Sequence, residues 1–111
     1  MKVLAILQNQ WFKDPDRVRL TLDRHPEYRR RYIAHALFAG CRTGRVLKAA
    51  LGEGLCRNIV WEEASPLIGG KAHSCFPADF AHLRAVLDEV KPDVVLALGK
   101  IASGALKDLV P

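Results

Sequence analysis

A chain of 111 residues, 50% hydrophobic and 26% charged, fits one globular domain spanning 1–111, and this composition excludes a disordered or collagenous protein. Its net charge is +5, from 17 Lys and Arg against 12 Asp and Glu. Arg17, Arg19, Arg24, Arg29, Arg30, Arg31, Arg42 and Arg45 all precede residue 50, so the amino-terminal half is either a set of solvated helix faces or a footprint for a polyanion, whose phosphates release counterions on contact.

Val3 to Leu7 is a short apolar run ended by Gln8-Asn9-Gln10. It is too short for a signal peptide or a membrane span and reads as a strand buried on both faces of a parallel sheet. Residues 8 to 26 are polar and contain Pro15 and Pro26, which predicts a long loop with a short helix around Arg17 to Leu22. Glu27 to Ala39 has helical spacing with Tyr28, Tyr32, Ile33, Ala36, Leu37 and Phe38 on the stripe and Arg29, Arg30 and Arg31 mostly off it, and Gly40 ends it. Thr43 is placed to cap a second helix with Val46, Leu47, Ala50 and Leu51 inward and Gly52 or Gly54 as its stop. Ile59 to Trp61 is the second strand, and Glu62 to Ala78 a second long loop. Asp79 then caps a helix with Phe80, Leu83, Val86, Leu87 and Val90 inward, broken by Lys91-Pro92-Asp93. Val94 to Leu98 is the third strand, and Gly99 turns the chain into a helix from about Ile101 to Leu109. Alternating strands and helices imply βαβ crossovers: an α/β, three-layer αβα fold with a short parallel sheet in the order 2-1-3.

Ligands of such sheets sit beyond the carboxyl ends of the strands, where the strand order reverses. Three loops qualify. In the first, Gln8 and Asn9 can hold a water or read a base edge while Trp11 and Phe12 stack on a base, or else the aromatics cover the sheet edge and the amides cap the turn. In the second, alternation aims one of Glu62 and Glu63 inward, as an acceptor for an amino group or a general base, unless the pair is an exposed acidic turn. Ser65 follows in the same loop. In the third, Gly99-Lys100 opens a helix and either binds phosphate or only permits the turn.

Cys41, Cys56 and Cys75 contain no Cys-x-x-Cys pair, which argues for a reducing, cytoplasmic setting. His25, His35, His73 and His82 show no metal spacing and read as solvated loop or surface residues. No metal and no other cofactor is expected.

Taken together these segments resemble the uracil-DNA glycosylase superfamily. Lys91-Pro92-Asp93-Val94-Val95-Leu96-Ala97-Leu98-Gly99-Lys100-Ile101-Ala102 is similar to that family's Lys-Pro-Asp-x-Val-x-x-Leu-Gly-x-x-Ala segment. Leu7-Gln8-Asn9-Gln10-Trp11 stands where the mismatch-specific and single-strand-selective branches read Gly-x-Asn-Pro-Gly, without the flanking glycines or the proline. Thr43-Gly44-Arg45 and the helix after it resemble a pocket-lining stretch that normally carries an aromatic. Glu62 or Glu63 stands where the family has an Asn that hydrogen-bonds uracil, and no His-Pro-Ser loop or further strand follows the third strand up to Pro111.

The resemblance implies a DNA-binding domain in which Asn9 positions the attacking water, Gln8, Trp11, Phe12, Glu62, Glu63 and Ser65 form the base pocket, and Arg42, Arg45 and Lys100 contact DNA. The implied reaction is hydrolysis of the N-glycosidic bond of a damaged or deaminated base. Uracil leaves as an anion, and removing a donor aimed at developing charge costs about 3 kcal/mol. The missing His therefore keeps a second expectation open: a catalytically inactive relative that binds nucleic acid or protein. Its partner could also be a strand, or a second copy of the chain, pairing with an uncovered sheet edge. No membrane partner is expected.

Overall fold

The computed structural model describes residues 1–7, 14–40, 42–67 and 76–109. The fold is α/β: three parallel strands, β1 (Val3–Leu7), β2 (Ile59–Glu63) and β3 (Val94–Ala97), lie in the order β2-β1-β3, flanked by helices on both faces. Val3 stands level with Ile59 on one side and with Val94 on the other, so the strands start together.

Pleating sends alternate residues of β1 to opposite faces, and each face has its own core. Leu4 and Ile6 pack with Leu83, Val86 and Val90 of α5 (Phe80–Val90) and with Ala102, Ala105 and Leu106 of α6 (Lys100–Leu109). Ala5 and Leu7 share the other face with Ile59 and Trp61, beneath Ile33 and Leu37 of α2 (Arg29–Gly40), with Leu47 and Leu51 of α3 (Arg42–Leu51) at its margin. Trp61 is fixed there by an edge contact with Phe38, ring centroids 5.3 Å apart, and by its indole N–H donating to Cys56 O at 3.0 Å. Cys56 is buried and free. Among the described residues no helix is long and apolar enough to cross a membrane.

Several elements depart from the sequence expectation. The chain before Pro26 holds a full helix, α1 (Pro15–Arg24), because Pro15 occupies the first helical turn and Asp14 caps it, accepting from Arg17 N at 3.2 Å. A 3-10 turn, Pro26–Tyr28, leads into α2. Gly52 ends α3 at φ 84° but also starts a further helix, α4 (Glu53–Asn58). Val46, Ala50 and Phe80, expected inward, are exposed. β2 runs on to Glu63, so Glu62 and Glu63 belong to the strand and not to the loop.

One glycine is required by packing. A Cβ on Gly44 would stand 1.6 Å from Leu37 O, because α3 crosses directly on the backbone of α2, whereas a Cβ on Gly104 would meet nothing within 4 Å. Gly44→Ala is therefore expected to destabilise the fold by about 3 kcal/mol, the upper part of the overpacking range. Gly104→Ala is expected to stabilise it by about 0.5–1 kcal/mol through helix propensity. Urea unfolding of the two variants checks both signs.

Candidate functional site

The last residues of β2 hold the densest set of charged groups among the described residues. Glu62 follows Ile6 and Val60 onto the α5 side of the sheet and is only 2% exposed; Glu63 follows Leu7 onto the α2 side and is 4% exposed. Alternation does separate the two carboxylates, but both faces of β2 are covered. Neither forms an exposed acidic turn.

Glu62 is surrounded by donors from two helices. The Arg29 Nε donates to its Oε1 at 2.8 Å, the Arg30 Nε lies 3.5 Å from Oε2, and the backbone N–H of Glu63 donates to Oε1 at 3.0 Å. From α5, His82 Nε2 lies 3.5 Å from Oε1 and 3.1 Å from the carbonyl oxygen of Glu63. Both neighbours are acceptors, so Nε2 is the nitrogen that carries a proton. Burial alone would push the Glu62 carboxyl up; the His82 contact, the Arg29 charge, the Glu63 N–H and the Arg29 hydrogen bond together outweigh it and hold the group below 4.5, the ordinary value.

The Arg29 guanidinium does more than neutralise. Its Nη1 and Nη2 donate to Pro66 O and Ser65 O, each at 3.3 Å, so one planar fork joins the strand-end carboxylate to the loop beyond it. That loop is held from the other side as well: Ala64 N donates to Leu7 O at 2.9 Å, Asp79 N to Ala64 O at 2.8 Å, and Ser65 Oγ accepts from Leu67 N at 3.2 Å. Arg30 meets Glu89 with two parallel bonds of 3.1 Å. A cleft of about 250 Å³ lies between these groups, lined by Pro26, Glu27, Ala85 and Val86 besides the ionic residues.

The expected site residues fall in three places. Glu62, Glu63 and Ser65 lie together at the end of β2. Lys100 is exposed at the start of α6, at the carboxyl end of β3, where Gly99 turns with φ 98°. Arg42 and Arg45 are exposed on α3 without an ion pair among the described residues. They follow the far end of α2, and the eleven residue steps from Arg29 to Gly40 carry the chain about 16 Å from the Glu62 cluster. Asn9, Gln8, Trp11 and Phe12 lie outside the described residues, as do Cys41, Cys75 and His73.

Arg29, Arg30, His82 and Glu89 were not expected in the site. The arginines read as solvated or phosphate-facing, yet the Arg29 side chain is 19% exposed and that of His82 15%. A signal was present: His82, Ala85, Val86 and Glu89 recur at helical spacing and make one stripe of α5. No group of three or more His, Cys, Asp or Glu among the described residues is arranged to hold a metal ion. Compared with known proteins, the chain matches no family model, no curated protein and no solved structure.

Glu62→Gln is expected to lower stability at pH 7 by about 2–3 kcal/mol, somewhat less than for a fully buried pair because Arg29 keeps some contact with water. The Glu62 carboxyl is lowered on folding, so its contribution is fully present above 4.5 and is lost as pH falls through the lower folded value. Urea midpoints should accordingly show a gap between the native chain and Glu62→Gln that is wide at pH 7 and closes in acid below pH 4.5.

Proposed function

We propose that this chain is a DNA-binding domain of the uracil-DNA glycosylase type, taking an extruded base at the carboxyl edge of its sheet and hydrolysing its N-glycosidic bond with a water placed by Asn9. The observation that carries the reading is the strand order. With β1 central, the chain passes from β1 to β2 on one side and then crosses to β3 on the other, so the order reverses between β1 and β3. The segment containing Gln8, Asn9, Trp11 and Phe12 follows β1 directly, and Gly99-Lys100 follows β3. Leu98 N donates to Ile6 O at 2.9 Å, so the two strands stay paired up to the point where these segments leave. Exposed Lys100 supplies positive charge at that crevice, with Arg42 and Arg45 available to a longer stretch of backbone.

A second reading, binding without hydrolysis, is favoured by Glu62. Glu62 or Glu63 stands where the family carries an Asn that serves the base; here both oxygens of Glu62 are engaged by Arg29, Arg30 and His82, and Glu63 is buried on the α2 side of the sheet. Such a carboxylate holds the loop and contributes no donor to a departing anion.

Single- and double-stranded oligonucleotides containing uracil, hypoxanthine or xanthine separate the readings. Binding should weaken with salt, and Lys100→Ala should reduce the slope of log affinity against log salt by about 1. Alkali-labile sites whose formation falls about 100-fold or more in Asn9→Ala, with affinity retained, identify the hydrolase. Salt-sensitive binding without cleavage identifies the binding module, and absence of binding at low salt rejects both.

A further inference from the structure

The two outer strands of the sheet are finished differently. β2 is covered on both faces and its end is closed by Arg29 and His82. β3 pairs only with β1 among the described residues, and Val94 to Leu98 contains neither a charge nor a proline. Val94 is 37% and Leu96 36% exposed, both on the face that α2 and α3 cover over β1 and β2. Soluble proteins usually blunt an edge with Lys, Pro or a bulge. This edge is short, four residues, but carries no Lys and no Pro along its strand.

The ladder fixes which peptide groups face outward. Val94 N donates to Lys2 O at 3.2 Å and Leu98 N to Ile6 O at 2.9 Å, with Leu96 between them turned the same way. Val95 and Ala97 therefore direct their N–H and C=O groups away from β1.

We propose that β3 pairs with β3 of a second copy, antiparallel about a two-fold axis perpendicular to the sheet, giving one continuous sheet with the order β2-β1-β3-β3-β1-β2. Such an axis keeps the corresponding helical layers of the two copies on the same face of the joint sheet, so opposed residues must come from the same face. With the axis at Leu96, Val95 of each copy faces Ala97 of the other, and each such pair exchanges two N–H···O bonds. Leu96 then packs on Leu96, and Val94 on Leu98, in one apolar row on the open face. No charged residue lies between Val94 and Leu98, so no like charges are opposed along the joint.

Neighbouring registers keep only the pair on the axis intact. An axis at Val95 sets Ala97 against Asp93, whose N–H is already donated to Lys2 O at 2.8 Å. An axis at Ala97 sets Val95 against Gly99, whose φ of 98° ends the strand.

Sedimentation velocity over a concentration series, joined to amide hydrogen exchange, tests the pairing. The native chain is expected to shift from monomer to dimer as concentration rises, with the Val95 and Ala97 amides slowing in step while those of Leu96 and Leu98 stay unchanged. Ala97→Pro removes one outward N–H without touching the β1 ladder, and Leu96→Lys places two like charges at the axis; each should abolish the dimer with unchanged circular dichroism. A chain that stays monomeric at every concentration overturns the proposal. So does a dimer in which the Val95 and Ala97 amides keep exchanging at the monomer rate, a readout on the native chain that stands even if a variant fails to fold.

Discussion

A carboxylate at the end of an outer strand ordinarily reaches for water, and Glu62 is kept from it by a helix on each side. Taking the charge out of water is unfavourable by several kcal/mol even after relaxation, so the position is tenable only while its partners hold their geometry. Arg29 comes from α2 and His82 from α5, helices that pack on opposite faces of the sheet. The contact therefore ties the two layers together around the outer edge of β2. Because Arg29 also binds the Ser65 and Pro66 carbonyls, the same interaction sets the path of the chain as it leaves the sheet.

That tie divides the molecule unevenly. β1 is central and its residues from Leu4 to Leu7 are buried; β2 is sealed along both faces. β3 receives α5 and α6 on one face only, where Val95 adjoins their core, and its other face remains apolar and open. Three strands suffice for two small cores, but the helices preceding β2 extend only over β1 and β2. The unsatisfied side of the sheet is a direct result of where α2 and α3 sit, and α3 sits where Gly44 lets it lie on the α2 backbone.

The parts of this arrangement that were legible in the sequence are those governed by local pattern. The apolar runs from Val3 and Val94, with the helical stripe of Leu83, Val86 and Val90, were enough to give a parallel sheet between helical layers. What escaped were effects of tertiary context. Pro15 and Gly52 read as breaks, although a proline in the first helical turn and a glycine between two helices also serve as starts. Glu62 and Glu63 read as loop because two adjacent carboxylates contradict a buried strand, and only partners remote in the chain, Arg29 at 33 positions and His82 on α5, make the burial of Glu62 possible. The charge excess misled in the same way: Arg29 and Arg30 are consumed by Glu62 and Glu89, so of the triple-arginine run only Arg31, over the Tyr28 ring, stays exposed.

The crevice proposed for DNA and the edge proposed for self-pairing share one strand. β3 forms a wall of the first and the whole of the second, yet the groups involved differ: the crevice uses what lies beyond Leu98, whereas pairing uses the outward peptide groups of Val95 and Ala97. An antiparallel joint points the carboxyl ends of the two copies in opposite directions, so the two proposed crevices would open on opposite ends of the common sheet, each to its own strand of nucleic acid. On that geometry binding and pairing are compatible, and Lys100 belongs to the crevice alone. Salt weakens the phosphate contact proposed for Lys100, but the four backbone bonds and the Leu96 contact contain no charge. High ionic strength should therefore release the nucleic acid well before it separates the copies.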